Sequence, residues 1–230
     1  MEQKESIRKP RTRRGFLQNA VGAGVVVASG GLAGAGLGGP YSLGLLEAHA
    51  QDVPTILNAA TTGEALAATL HHAVVTRATF HIDEPARVSL QHMLAADLHH
   101  HDVLESLGGR TQARQFYLPG SLLSDAGVFV QTSLTIEGAI AGAYVAAAHR
   151  FAVLGQPLLA AMAARHGANT AQHLSLIGHL AGLPYEHTTP VGVEASDLAA
   201  VLAPYLTAGR DVMGPLRFPS AARRRVVLGG

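Results

Sequence analysis

The sequence predicts an all-α protein: a bundle of four long helices with a long connection in the middle and a short fifth helix. Three observations support this class. Apolar residues recur with the helical period in long segments, and no segment after residue 50 alternates as a β-strand does. The 230 residues are 48% hydrophobic and 14% charged, enough to bury one sizeable core. The chain has no cysteine, so neither disulfides nor thiol chemistry enter the fold or the function.

The first fifty residues predict an export signal that is not part of the bundle. Basic residues cluster between positions 8 and 14, and a run rich in Gly, Ala and Val follows from about 21 to 37. The segment Thr12-Arg13-Arg14-Gly15-Phe16-Leu17-Gln18 resembles the twin-arginine translocation motif. Ala48-His49-Ala50 offers the small-x-small pattern of a cleavage site, so we expect the mature chain to start near Gln51 in the periplasm or outside the cell. An uncleaved, membrane-anchoring N-terminus is the alternative.

The charge balance argues against a nucleic-acid partner. Residues 1–50 contain six of the 17 basic and three of the 16 acidic residues, so the remaining chain has a net charge of about −2 with neutral His. Its one basic run, Arg223-Arg224-Arg225, lies close to the C-terminus and is interpreted as a solvated tail.

Helix start and stop signals divide residues 51–208, the predicted bundle, into elements. Asp52 and Pro54 open a first helix over 56–78, and 80–85 interrupts it. A second helix, 86–107, ends at Gly108-Gly109, and the linker 110–123 is long enough for a crossover. Ser124 or Asp125 caps a third helix that continues to 153; a fourth covers 158–181, and a short fifth runs from 196 to about 207. From 209 to 230 we expect a loosely ordered tail.

Glu137 is the only charged residue between 126 and 148. That run is long enough to span a bilayer, but the polar neighbours Gln131, Thr132, Ser133 and Thr135 favour a buried helix of a soluble bundle, with no stable membrane span in the mature chain. An ionised carboxylate buried without a partner costs several kcal/mol, and is normally neutralised, paired or metal-bound. The sequence therefore predicts a partner for Glu137 on another helix.

The other predicted helices offer such partners at regular offsets. The first contains Glu64, the second contains Asp97 and His100 on one face, and the fourth contains His173. The interval from Glu64 to Glu137 equals the interval from His100 to His173, as in a repeated helical hairpin. Bundle cores bind two metal ions with a Glu from each of two helices and a Glu-x-x-His from each of the others. Each of these residues also has an interpretation without metal binding, as an exposed acid, part of a polar face or a packed core histidine.

Two segments carry a resemblance to a known family. ADLHHHDVLESLGG and AAMAARHGANTAQHLSLIGHLAGLP resemble the second and fourth helices of secreted ferritin-like domain proteins, a group that includes desiccation-related proteins. The resemblance covers about 53–184. It implies a ferritin-like four-helix bundle in which Glu64 and Glu137 are terminal metal ligands, Asp97 is a bridging carboxylate, and His100 and His173 are imidazole ligands. Thr170 stands where the second bridging carboxylate is expected, so three carboxylates and two imidazoles suit one Fe, Mn or Zn ion better than a full di-iron centre.

The function expected from this site is binding of Fe or Mn between four helices, with a role in stress protection and at most an oxidase- or peroxidase-like activity. His71 and His166 lie two turns from Glu64 and His173 on the same faces, and are left outside the metal set as packing residues. Two alternatives stay open: a metal-free bundle with a structural or interaction role, and a periplasmic metal carrier that uses the His-rich face at His99, His100 and His101. Assembly into a homo-oligomer also stays open.

Overall fold

The structure is a computed structural model that describes residues 52–183 and 195–219. The predicted export signal, the segment 184–194 and the end of the tail lie outside these residues. The described chain forms five α-helices and two short strands: α1 (Val53–Arg77), α2 (Glu84–Ser106), β1 (Gln115–Pro119), α3 (Ala126–Val153), α4 (Pro157–Ala181), α5 (Ala195–Leu202) and β2 (Val212–Arg217). A single 3-10 turn, Ala203–Tyr205, follows α5.

The helix ends follow from the capping residues. Asp52 accepts a hydrogen bond from the Thr55 amide at 2.9 Å, and Asp83 accepts one from the Ala86 amide at 2.9 Å. At the start of α3, Asp125 accepts from two successive amides. Each of these carboxylates satisfies amide groups that the first helical turn leaves unpaired. Gly182 ends α4 in the left-handed conformation, with φ 65°, that glycine adopts without steric cost.

The long helices pack as two hairpins. α1 packs along α2, and α3 packs along α4, with only short connections within each hairpin. α1 also contacts α3, and α2 contacts α4, so each long helix touches both a partner in its own hairpin and a helix of the other one. The predicted all-α bundle with a long middle connection is compatible with this arrangement.

The most apolar of the four long helices, α3, is largely buried by its neighbours. Among the described residues, α3 alone is long and apolar enough to cross a membrane by length and composition, and 61% of its most apolar stretch is buried within the chain. A core helix of a bundle has the same properties.

A small antiparallel sheet includes part of the segment after 209, and the remainder of the predicted tail, 220–230, lies outside the described residues. Within the described residues, Val212–Arg217 pairs with Gln115–Pro119 of the middle connection, although the sequence predicts neither strand. Both strands are short, and Gly214 and Pro215 interrupt the alternation by which a strand is recognised in a sequence. A Cβ on Gly214, which has φ 146°, would lie 2.8 Å from the Phe116 carbonyl oxygen. Glycine therefore allows this close approach of the two strands.

The core combines aliphatic packing with one polar layer. Leu66, Leu70, Leu94 and Ile136 are fully buried, and Phe116 of β1 extends the core into the middle connection. At mid-helix level the apolar core gives way to buried acidic and histidine side chains from all four long helices. These side chains form the candidate site.

Candidate metal centre

Glu137 is buried at the centre of α3, with 1% of its surface exposed. The helix around it is rich in small apolar residues, so the carboxylate receives no charged neighbour from its own element. Its Oε2 atom lies 3.2 Å from Nδ1 of His173 on α4. The partner that the sequence predicts for Glu137 is thus an imidazole of the adjacent helix.

Asp97 of α2 lies between two imidazoles. Its Oδ1 atom is 3.4 Å from His173 Nδ1, and its Oδ2 atom is 2.7 Å from His71 Nδ1. All three side chains are buried. Because each carboxylate oxygen faces a different ring, Asp97 connects α1 to α4 through the interior.

His71, which was not among the predicted ligands, belongs with these residues. Its Nε2 atom lies 3.1 Å from Ser133 Oγ and 3.8 Å from Glu137 Oε1. One potential ligand atom each from His71, Asp97 and Glu137 lies within 4.8 Å of the other two, close enough for a single ion. In the sequence, the sign of this role was the position of His71 two turns after Glu64. Histidines that only pack in the core show the same spacing. We call His71, Asp97, Glu137 and His173 the acidic half of the site.

Glu64 and His100 pair in a second group. The Glu64 Oε1 atom is 3.1 Å from His100 Nδ1 and accepts a hydrogen bond of 2.7 Å from the Tyr144 hydroxyl. The Tyr144 oxygen lies 3.4 Å from His166 Nδ1, and the rings of His100 and His166 stack with centroids 4.0 Å apart. We call these four residues the tyrosine half. Tyr144 was not predicted from the sequence, because tyrosine is not among the ligands of the bundle pattern.

The tyrosine half is a hydrogen-bonded ion pair. Burial raises the pKa of Glu64, but the charge and hydrogen bond of His100, together with the Tyr144 hydroxyl, outweigh burial and leave the pKa lowered. Burial lowers the pKa of His100, yet the Glu64 carboxylate raises it overall. Burial, followed by the charge of His100, lowers the pKa of His166 to about 4. The positive charge of this half therefore resides on His100.

The acidic half brings two buried carboxyl groups close together, and the pKa values of Asp97 and of the adjacent imidazoles respond to the charges around them. Burial, followed by the charge of Glu137, raises the pKa of Asp97 well above its usual value. Burial lowers the pKa of His173, but the Glu137 carboxylate outweighs it and brings the pKa to about 9. Burial lowers the pKa of His71 to about 4, so that ring is neutral near pH 7. A neutral imidazole beside two carboxylates is the form that binds metal ions.

Two buried side-chain oxygens of the described residues have no hydrogen-bond partner: Glu137 Oε1 and Thr170 Oγ1. Leaving such a group unpaired costs about 1–3 kcal/mol, and more when it is charged. Thr61 and Thr69 donate their hydroxyls to the carbonyl one turn earlier in the helix, whereas Thr170 does not. Both unpaired oxygens belong to the polar layer, and Glu137 Oε1 also lies 3.8 Å from His71 Nε2.

A separate group at the end of α2 consists of His101, Asp102 and Glu105. His101 is buried and its Nε2 atom is 2.8 Å from Thr111 Oγ1, while the two carboxylates are 58% and 46% exposed. The three consecutive histidines do not share a face: His99 is exposed, His100 faces Glu64, and His101 faces Thr111. The predicted His-rich binding face is therefore not assembled on α2.

The five residues of the predicted site are all buried, with at most 4% exposure. The structure joins Asp97, Glu137 and His173 in one half and Glu64 with His100 in the other. Glu64 is therefore not an exposed acid, and Asp97 and His100 do not form an exposed polar face.

Fold and site together define a helical protein with buried His, Asp and Glu groups that could hold a metal ion. Comparison of the chain with family models, with curated proteins and with solved structures finds no match.

Proposed function

We propose that this protein binds an Fe or Mn ion in the interior of its helical bundle, at the acidic half of the polar layer. One observation carries the proposal: Glu137 Oε1 is a buried carboxylate oxygen without a hydrogen-bond donor, and it belongs to the group whose ligand atoms lie within 4.8 Å of one another. The proposal extends to an exported, ferritin-like protein with a role in stress protection, as the resemblance of its second and fourth helices implies.

The charge of the acidic half supports a cation. Asp97 and Glu137 are both buried, the charge of Glu137 makes ionisation of Asp97 more costly, and removing each charge from water costs several kcal/mol. A divalent ion between them offsets both charges and can use the unpaired oxygen of Glu137 directly. Two carboxylates with two imidazoles form a mixed oxygen and nitrogen ligand set, which suits Mn, Fe and Zn better than Ca or Mg.

The residues present fit such an ion. Asp97, Glu137, His71 and His173 would bind it, and Ser133, which lies 3.1 Å from His71 Nε2, would contact one of these ligands. A redox-active ion at this site would supply electron transfer to O₂ or peroxide. The chain itself supplies a buried site in which the grouped residues His71, Asp97 and Glu137 lie on three different helices.

A metal-free bundle is the second candidate, because protons can also neutralise the polar layer. The raised pKa values of His100 and His173 place an imidazolium beside Glu64 and Glu137, and the raised pKa of Asp97 favours its protonated form. In that case the polar layer fixes the register of the helices, and the protein has a structural or interaction role.

Elemental analysis of protein purified from its native compartment, without an affinity tag that binds metals, separates these candidates. We expect close to stoichiometric Fe or Mn in the wild-type protein and at least about a 100-fold weaker affinity in Glu137→Gln, since one charged ligand is removed. Glu105→Gln is the matched control, because this exposed acid belongs to the separate surface group. Wild-type protein without stoichiometric metal, or Glu137→Gln that retains it, would contradict the proposal. Loss of metal in Glu105→Gln alone would indicate that the ion binds instead to the surface group at the end of α2.

A further inference from the structure

The two hairpins of the bundle repeat each other in sequence position and in contact geometry. The interval from the start of α1 at Val53 to the start of α3 at Ala126 equals the interval from the start of α2 at Glu84 to the start of α4 at Pro157. The same interval separates Glu64 from Glu137, and His100 from His173. The elements and their polar residues therefore keep one spacing throughout.

The contacts within each hairpin repeat as well. The Glu64 carboxylate is 3.1 Å from His100 Nδ1, and the Glu137 carboxylate is 3.2 Å from His173 Nδ1. Each glutamate pairs through the same ring nitrogen with a histidine on the second helix of its own hairpin. The two halves of the polar layer are thus related by an approximate two-fold repeat.

The contacts between the hairpins repeat in the same way. The side chain two turns after each glutamate faces the glutamate of the other hairpin: Tyr144 bonds to Glu64 at 2.7 Å, and His71 lies 3.8 Å from Glu137. His71 and Tyr144 are separated by the same interval as the two glutamates, so they are equivalent positions with different side chains.

Of the four positions equivalent to the acidic half, two differ in residue type, and both changes replace a metal ligand. Tyr144 stands at the position equivalent to His71, and its hydroxyl donates a hydrogen bond to Glu64 Oε1. Thr170 replaces the carboxylate found at Asp97, and its hydroxyl oxygen has no hydrogen-bond partner. Of that ligand set only Glu64 and His100 remain, and they already neutralise each other. The further imidazole of this half, His166, is equivalent to Met93 in the repeat and stacks on the His100 ring.

We infer that the polar layer binds one divalent ion per chain, at the acidic half, and that the tyrosine half is held by hydrogen bonds and binds no ion. The inference rests on the proposed function and adds the number of ions per chain and the difference between the two halves of the polar layer. Two ions about 3.5–4 Å apart need carboxylates that screen their repulsion. The tyrosine half provides one carboxylate, whereas the acidic half provides two.

Manganese titration of the metal-free protein, with unbound Mn²⁺ counted by electron paramagnetic resonance, tests the stoichiometry. We expect one Mn²⁺ per wild-type chain. The double variant Tyr144→His/Thr170→Asp recreates in the tyrosine half the side chains of the acidic half, and we expect it to bind two ions. The reciprocal variant His71→Tyr/Asp97→Thr gives both halves the ligand-poor side chains, and we expect it to bind none.

Two ions per wild-type chain, or one ion retained by the reciprocal variant, would overturn the inference while leaving a metal function intact. A folded Tyr144→His/Thr170→Asp protein that still binds one ion would overturn it as well. No ion in the wild-type chain would instead remove the proposed function. Circular dichroism confirms folding of each variant; if the double variant does not fold, the wild-type count and the single variant Thr170→Asp, with two ions expected, decide the question.

Discussion

At the scale of single residues, His71 shows how a buried side chain can link three elements. Its ring is on α1, and its two nitrogens face Asp97 on α2 and Ser133 with Glu137 on α3. Because burial lowers its pKa to about 4, the neutral ring can donate through one nitrogen and accept through the other near pH 7. His71 is consequently the residue best placed to bind an ion together with both carboxylates.

His173 contributes to the alkaline pH dependence of the metal-free protein, together with His100, whose pKa is raised as well. Its pKa rises from about 6.5 in the unfolded chain to about 9 in the folded chain, because the charge of Glu137 outweighs burial. The resulting stabilisation is complete below pH 6.5 and is lost as the pH rises to about 9. From pH 6.5 to 9.5 in a chelating buffer, urea denaturation should show a decrease on the order of 2–3 kcal/mol in the free energy of unfolding.

Two variants assign this pH dependence. His173→Gln should make the alkaline decrease shallower, because no imidazolium then pairs with Glu137, while His100 keeps its own contribution. His149→Gln, at an exposed position of the bundle, should keep the wild-type slope. Equal slopes in wild-type and His173→Gln protein would show that this ion pair does not form.

At the scale of elements, the approach of α3 to α4 positions the tyrosine half. A Cβ added to Gly167 of α4 would lie 3.0 Å from Cβ of Tyr144, so α4 can pack this closely only because position 167 lacks a side chain. The hydroxyl of the same tyrosine binds Glu64 at 2.7 Å. The separation of the two helices therefore fixes the donor that Glu64 depends on.

Substitution of Gly167 should lower stability, although alanine usually stabilises a helix relative to glycine. Gly167→Ala should lower the free energy of unfolding by about 1–3 kcal/mol, because the added methyl group must displace the Tyr144 backbone or α4 itself. Gly138→Ala in α3 is the matched control: its nearest neighbour would be Leu174 Cδ2 at 4.0 Å, and alanine there should raise stability by up to about 1 kcal/mol through helix propensity. Thermal or urea denaturation measures both. A Gly167→Ala variant as stable as Gly138→Ala would mean that α4 is free to move away.

At the scale of the whole molecule, the helices were predictable from sequence because their signals are local. Asp52, Asp125 and Gly182 each act within one turn, and the helix limits inferred from them agree closely with the structure. The two strands were not predictable, because each is short and is stabilised only by its partner from a distant part of the chain.

The site was predictable in part for the same reason. Burial of Glu137, and its need for a partner, followed from one carboxylate in an apolar run. His173 was one of several partners that the other helices offered, and the structure selects it. The role of His71 did not follow from the sequence, since its spacing from Glu64 fits packing and metal binding equally well. The division into an acidic half and a tyrosine half depends on which side chains meet across hairpins, and sequence spacing contains no such information.

The most direct test of the central claim is a crystal structure of the protein as isolated from its native compartment, with anomalous diffraction collected at the Fe and Mn absorption edges. We predict one anomalous peak per chain, bonded to side chains of Asp97 and Glu137 and to at least one of the rings of His71 and His173. A peak located only at exposed histidines, or an interior in which His71, Asp97 and Glu137 keep their hydrogen bonds with no anomalous signal between them, would contradict it.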